Sequence, residues 1–297
     1  MTIEICDVAP RDGLQNDPTQ TTPEMRAELC ARLAAAGLPA VEAVSFVNEK
    51  RVPRMAGAER VVELLPDDTK TLFSGLVLNE RGYDRAAATK LKAVNYSFPV
   101  SDGFAEKNQG TTVAAGIALA KKLIPRARAD GREIEVGLSV AFGCPFDGRI
   151  DPGRVLEIAH ELASLGPDSI SFADTIGVAV PKGVRQIISG MRDTKIKIAC
   201  HFHNTRNTAV ANALAAIESG ATSLDASVGG VGGCPFAPNA TGNVATEDLV
   251  YMLHGMGYET GIDLERLIST AKWLEQQLAH PIQSAVARAG GFKPVAA

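Results

Sequence analysis

The stretch Ile196-Lys197-Ile198-Ala199-Cys200-His201-Phe202-His203 is a short apolar run that ends on two histidines one residue apart. A run of this length, rich in branched and aromatic residues, reads as a β-strand. Side chains alternate across a strand, so His201 and His203 point to one side and Phe202 to the other. Seven more such runs fall near residues 3–8, 40–45, 71–75, 93–97, 133–140, 169–173 and 223–227. Longer amphipathic stretches alternate with them, at 22–36, 56–65, 80–89, 113–129, 152–164, 181–191, 206–219 and 246–255. Such alternation predicts an α/β fold with a parallel sheet. Eight units favour closure into a (β/α)8 TIM barrel over a doubly wound open sheet.

Local signals agree with these boundaries. Thr22 and Asp151 each place a capping oxygen before a proline at a first helical turn. Gly37, Gly166, Gly220 and Gly257 each follow a periodic stretch, where a left-handed residue ends a helix. No Pro/Gly/Ser-rich linker divides the chain. The expectation is one catalytic domain over residues 1–297, with the barrel over about 1–257 and extra C-terminal helices near 263–279 and 282–289.

Composition narrows the function classes. The 297 residues are 45% hydrophobic and 22% charged, as in a globular protein with a sizeable core. The net charge of −4 offers no cationic excess for a phosphate backbone, so no nucleic-acid partner is expected. Cys6, Cys30, Cys144, Cys200 and Cys234 are odd in number and form no CxxC pair, which speaks against a disulfide framework or a zinc knuckle. With no signal-like start and no apolar run near 18 residues, a cytoplasmic protein without a membrane segment is expected.

An isolated HxH is equally consistent with two packed histidines. Its company changes the weight: Arg11-Asp12 after the first strand, Glu42 on the second, Asp174 after the sixth and Asn243 beyond the eighth. In a barrel these converge on the carboxyl-end mouth. Two imidazoles with a carboxylate and an amide oxygen form a mixed N/O donor set, suited to Mg²⁺ or Mn²⁺ rather than structural zinc. The segment 228–243, VGGVGGCPFAPNATGN, crowds four glycines before Cys234 and reads as a loop able to close over a site. It runs into Cys234-Pro235 rather than a helix, which disfavours a dinucleotide fingerprint. Cys234 in this polar setting suits a reactive thiol, with Cys144 in the similar GCPF stretch as a competitor.

These residues resemble the 3-hydroxy-3-methylglutaryl-CoA lyase family, within the metal-dependent aldolase-type barrels. The likeness covers nearly the whole chain: residues 9–16 (APRDGLQN), 41–47 with Val52-Pro53 and Met55, 104–108, Gly143-Cys144-Pro145, Asp174-Thr175-Ile176-Gly177, His201-Phe202-His203, and 229–248. The resemblance implies that Asp12, His201, His203 and Asn243 hold a divalent cation. It also implies that Arg11 polarises a thioester carbonyl and that Cys234 carries a proton. Glu42 and Asp174 would complete the polar site. Apart from the resemblance, Lys107 and Asn108 follow the fourth strand, where contact with the CoA phosphates or the acyl group is expected, against the more common outcome of a solvated loop lysine. The implied reaction is retro-Claisen cleavage of a short 3-hydroxyacyl-CoA, foremost 3-hydroxy-3-methylglutaryl-CoA, to acetyl-CoA and a keto acid.

Departures from the pattern are Asn204 followed by Arg206-Asn207, where Asp and then Tyr-Gly are expected, and Pro18 in place of a common lysine. They admit a related substrate such as citramalyl-CoA. A Claisen-condensing synthase is opposed by the glycine-cysteine loop and by a chain that stops soon after the barrel. A binding protein without turnover is the non-enzymatic alternative. The partners expected are a small-molecule acyl-CoA and a second copy of the chain, in a homodimer or higher homo-oligomer.

Overall fold

The structure, a computed structural model, describes residues 2–233 and 242–292. Eight strands, β1 (Glu4–Asp7), β2 (Ala40–Ser45), β3 (Leu72–Val77), β4 (Ala93–Pro99), β5 (Glu133–Ser139), β6 (Ser169–Asp174), β7 (Lys197–Phe202) and β8 (Ser223–Ala226), pair in parallel in chain order. Pairing of β8 with β1 closes the barrel, so the open-sheet alternative is excluded.

Around it run α1 (Pro23–Ala35), α2 (Ala58–Leu64), α3 (Glu80–Ala87), α4 (Asp102–Gln109), α5 (Val113–Ala129), α6 (Pro152–Ala163), α7 (Pro181–Ser189), α8 (Ala209–Ser219) and α9 (Thr246–Gly255). Two further helices follow, α10 (Leu264–Leu278) and α11 (Ala285–Ala289). α10 packs on α1 and α11 on α9.

Strand alternation decides where the core sits. Tyr96, Phe98, Val136, Leu138, Ile170 and Phe172 are buried in the hydrophobic core that the helices share. Each such side chain contributes roughly 1.5–3 kcal/mol on burial. Their odd-numbered neighbours Asn95, Ser97, Glu135, Gly137 and Ser171 line a cavity that opens at the strands' carboxyl ends.

The expected helix starts are present: Thr22 Oγ1 accepts from the Met25 amide, and Asp151 Oδ1 from Gly153. α8 begins three residues later than the periodicity predicts, at Ala209. Residues ahead of it form a turn in which the Asn204 side chain accepts from the Ala209 amide and Arg206 donates to the Ile176 and Gly177 carbonyls. α4 has no counterpart in the sequence reading. It buries only Phe104 and Ala105 and is started by Ser101, whose hydroxyl accepts from the Phe104 amide. So small an apolar face gives little periodicity to detect.

Candidate active site

His201 stands near the carboxyl end of β7, and His203 follows the strand. Asp12 is placed by a tight π-helical turn, Ala9–Gly13, in which the Arg11, Asp12 and Gly13 amides all donate to the Val8 carbonyl. The preceding Asp7 anchors this turn from behind. Its buried carboxylate accepts from the Ala9 and Val228 amides and from the Thr246 hydroxyl. One ligand atom each from Asp12, His201 and His203 lie within 4.8 Å of one another. Asp12 Oδ2 stands 4.0 Å from His201 Nε2 and 3.8 Å from His203 Nε2.

Asn243 joins them through a bridge between its backbone and that of His203. Its amide nitrogen donates to Asp12 Oδ2 at 2.9 Å and to the Val231 carbonyl at 3.2 Å. Its Oδ1 and the Nδ1 of His203 are buried without a hydrogen-bond partner among the described residues, although buried polar atoms are nearly always paired. Gly232 makes this approach possible. Its φ is +138°, and a Cβ there would stand 2.6 Å from Asn243 Nδ2. Carboxylate, imidazoles and an orphaned amide oxygen in one place fit a divalent cation.

Arg11 sits beside this cluster, its guanidinium held by Glu42 through Nε and by Asp12 Oδ1 at 2.5 Å through Nη1. The other oxygen of Glu42 accepts from Asn95 Nδ2 at 2.8 Å. Burial opposes charge on Asp12, but the Arg11 cation and the two imidazoles hold its carboxyl well below the usual range. Burial and the neighbouring His201 lower His203 to about 4, so it stays neutral and able to ligate. Burial also resists a charge on His201, whereas the bond that its Nδ1 donates to Asp225 and the charge of Asp12 outweigh it and raise the ring.

Of the expected site residues, the structure brings together Arg11, Asp12, Glu42, His201, His203 and Asn243. Asp174 does not line the cavity. On β6 it follows Ala173, which lines the cavity, so its side chain turns the opposite way and accepts from the Val178 and Ala179 amides at 2.8 and 3.0 Å. Burial raises its carboxyl to about 6. His201 and Arg206 act on it electrostatically in the opposite sense, and its two backbone bonds shape the loop after β6. Asn108 lines the cavity, whereas Lys107 is exposed on α4 and does not.

Cys234 lies outside the described residues. Cys144 is buried, its sulfur accepting from the Ser101 hydroxyl at 3.0 Å and from the Phe146 and Asp147 amides, and it does not line the cavity.

Sequence reasoning missed Asp225, whose Oδ2 lies 3.2 Å from His201 Nδ1, and the inward pair Asn95 and Glu135. A period-two polar pattern within apolar strands was the available signal: Asn95/Ser97, Ser169/Ser171 and Ser223/Asp225. The cavity above them has a volume of about 280 Å³ and an open mouth.

Comparison with known proteins agrees with this geometry. A family model described as HMGL-like matches residues 2–274. The chain is 43% identical to (R)-citramalyl-CoA lyase of Chloroflexus aurantiacus, covering 98% of this chain and 96% of that one. It is 37% identical to the mitochondrial hydroxymethylglutaryl-CoA lyase of Bos taurus, covering 97% and 89%. Among solved structures, an HMG-CoA lyase from Acinetobacter baumannii in complex with coenzyme A and 3-methylmalate superposes with a TM-score of 0.93. The two chains are 34% identical, covering 99% of this chain and 98% of that one.

Proposed function

The chain belongs to the HMGL-like family and is a lyase, and from that premise we propose that it cleaves a short 3-hydroxyacyl-CoA into acetyl-CoA and a keto acid. The observation that carries this is the meeting of Asp12, His201 and His203 within 4.8 Å, beside the paired Arg11. Asp12, His201, His203 and Asn243 would hold Mg²⁺ or Mn²⁺, which when bound supplies Lewis acidity to the substrate's hydroxyl and carboxylate oxygens.

The chain's own groups account for the other charges. Cleavage sends an electron pair onto the thioester, and Arg11 cannot lose its proton, so its guanidinium stabilises the enolate oxygen. Glu42 and Asp12 fix the direction of that guanidinium. Neutral His203 keeps a lone pair for ligation near pH 7, and Asp225 orients the ring of His201. A thiol such as Cys234, in the glycine-rich segment 228–243, would protonate the enolate carbon and recover the proton that the substrate's hydroxyl gives up as the carbon–carbon bond breaks.

Two substrates stand foremost, 3-hydroxy-3-methylglutaryl-CoA and citramalyl-CoA. The identity of 43% to the citramalyl-CoA lyase against 37% to the bovine hydroxymethylglutaryl-CoA lyase favours the second. The test is acetyl-CoA release from each by protein stripped with chelator and reloaded with Mg²⁺ or Mn²⁺. Metal-dependent release from either supports the proposal, and silence across both and their close analogues refutes it.

A further inference from the structure

TIM-barrel interiors are ordinarily filled by layers of branched apolar side chains. Here one layer is nearly empty. Ser97 on β4, Gly137 on β5 and Ser171 on β6 are register neighbours and all line the cavity. Ser171 lies two residues before Ala173, the register partner of His201, so this layer sits one inward step below the histidine. A further step down, Asn95 pairs with Glu135. Both line the upper cavity and also a smaller one at the amino-terminal end of the barrel. Gly137 is not in a left-handed turn; it is an in-strand glycine whose missing side chain leaves the opening, with Ser97 Oγ 3.2 Å from where its Cβ would be.

The chemistry of this recess is polar but offers no free cation among the described residues that line it. Arg11 is already held by Glu42 and Asp12. At the floor, Glu135 accepts from the Ser169 hydroxyl at 2.7 Å. Glu135 is faced by Asp225 from β8, Glu42 from β2 and Lys197 from β7. Burial and the Asp225 charge push its carboxyl upward, toward the uncharged form. A second carboxylate would enter without a cation to meet it, and a plain alkyl group would offer nothing to the Ser97 and Ser171 hydroxyls.

We infer that the recess formed by Ser97, Gly137, Ser171, Asn95 and Glu135 receives a substituent of the substrate's carbinol carbon that is longer than methyl and ends in an uncharged hydrogen-bonding group, a hydroxyl foremost. This rests on the lyase activity proposed above but goes beyond its two foremost substrates, whose carbinol carbon carries methyl, in the acyl group that the same site prefers.

The experiment compares four 3-hydroxyacyl-CoA thioesters that differ only at the carbinol carbon, which carries methyl, propyl, 2-hydroxyethyl or 2-carboxyethyl. The hydroxyethyl compound should exceed the methyl one at least tenfold in kcat/KM, chiefly through KM, with propyl and carboxyethyl below it. Gly137→Leu, which fills the opening, should lower the hydroxyethyl compound at least tenfold more than the methyl one. Should that variant fail to fold, the double variant Ser97→Ala/Ser171→Ala should erase the preference for hydroxyethyl over propyl. No hydroxyethyl preference in the wild type, or equal losses for all four compounds in the variants, overturns the inference. If the wild type cleaves none of them, the proposed activity fails, and calorimetric affinities of the same four thioesters then decide the recess by the same ranking.

Discussion

Oδ2 of Asp225 lies 3.2 Å from Nδ1 of His201, while Nε2 of the same ring faces Asp12 at 4.0 Å. An acceptor on one ring nitrogen fixes the tautomer that leaves the other free to ligate. Asp225→Asn should therefore weaken divalent-metal affinity about 10- to 100-fold, with activity largely recovered at saturating metal. Calorimetric titration of the stripped protein checks this, and unaltered affinity would argue that Asp225 does not orient the ring.

Arg11 lines the cavity beside the Asp12, His201 and His203 cluster, and Glu42 and Asp12 together aim it. Removal of one donor that meets developing charge costs on the order of 10²–10³ in kcat. Arg11→Gln should show that loss with metal binding retained. Glu42→Gln should lose less, because the guanidinium keeps its bond to Asp12. Single-turnover rates distinguish the two variants.

Asp174 gives a contrasting expectation. Its two bonds are to backbone amides of the loop after β6. Asp174→Ala should lower stability by about 1–3 kcal/mol, the cost of leaving buried donors unpaired, without moving the pH profile of kcat. A displaced profile, with the melting temperature unchanged, would return Asp174 to the chemistry.

Two carboxylates beneath the site make stability depend on pH. Burial raises Asp7 to about 7 and Glu247 to about 8, above the roughly 4 of an unfolded chain. In the window between those values the folded state binds more protons than the unfolded state. Their contribution is thus fully present below about pH 4 and is lost as pH rises through 7 and 8. Glu247→Gln removes one of the two, so the decline in melting temperature from pH 5 to 9 should be shallower in the variant. Parallel melting curves across that range would contradict the assignment.

The barrel was legible because each strand has an apolar outward row, and because caps such as Thr22 and Asp151 obey local chemistry. The meeting of Asp12, His201 and His203 was legible for a related reason. HxH fixes two ligands by strand geometry alone, and barrel topology supplies the rest. The direction of Asp174 was not legible, since its place at a strand end says nothing about which way the side chain turns, and a one-residue offset from Ala173 reverses it. Asp225, Asn95 and Glu135 were hidden by the opposite effect. Their inward direction follows from alternation, but whether an inward polar residue meets packing or open space depends on neighbours such as Gly137, brought alongside by the sheet.

The ligand cluster also straddles the seam where the barrel shuts. Asp12 leaves the first strand and His201 the seventh, nearly two hundred residues later, so all the intervening βα units must be in place before a cation can be gripped. Such distant pairings form late and slowly. An ion held there would act as a clasp on the finished ring, recognising the native chain and not the unfolded one. Chelation should consequently hasten unfolding by releasing the ends of the polypeptide from each other, while the helices midway round the barrel feel it least.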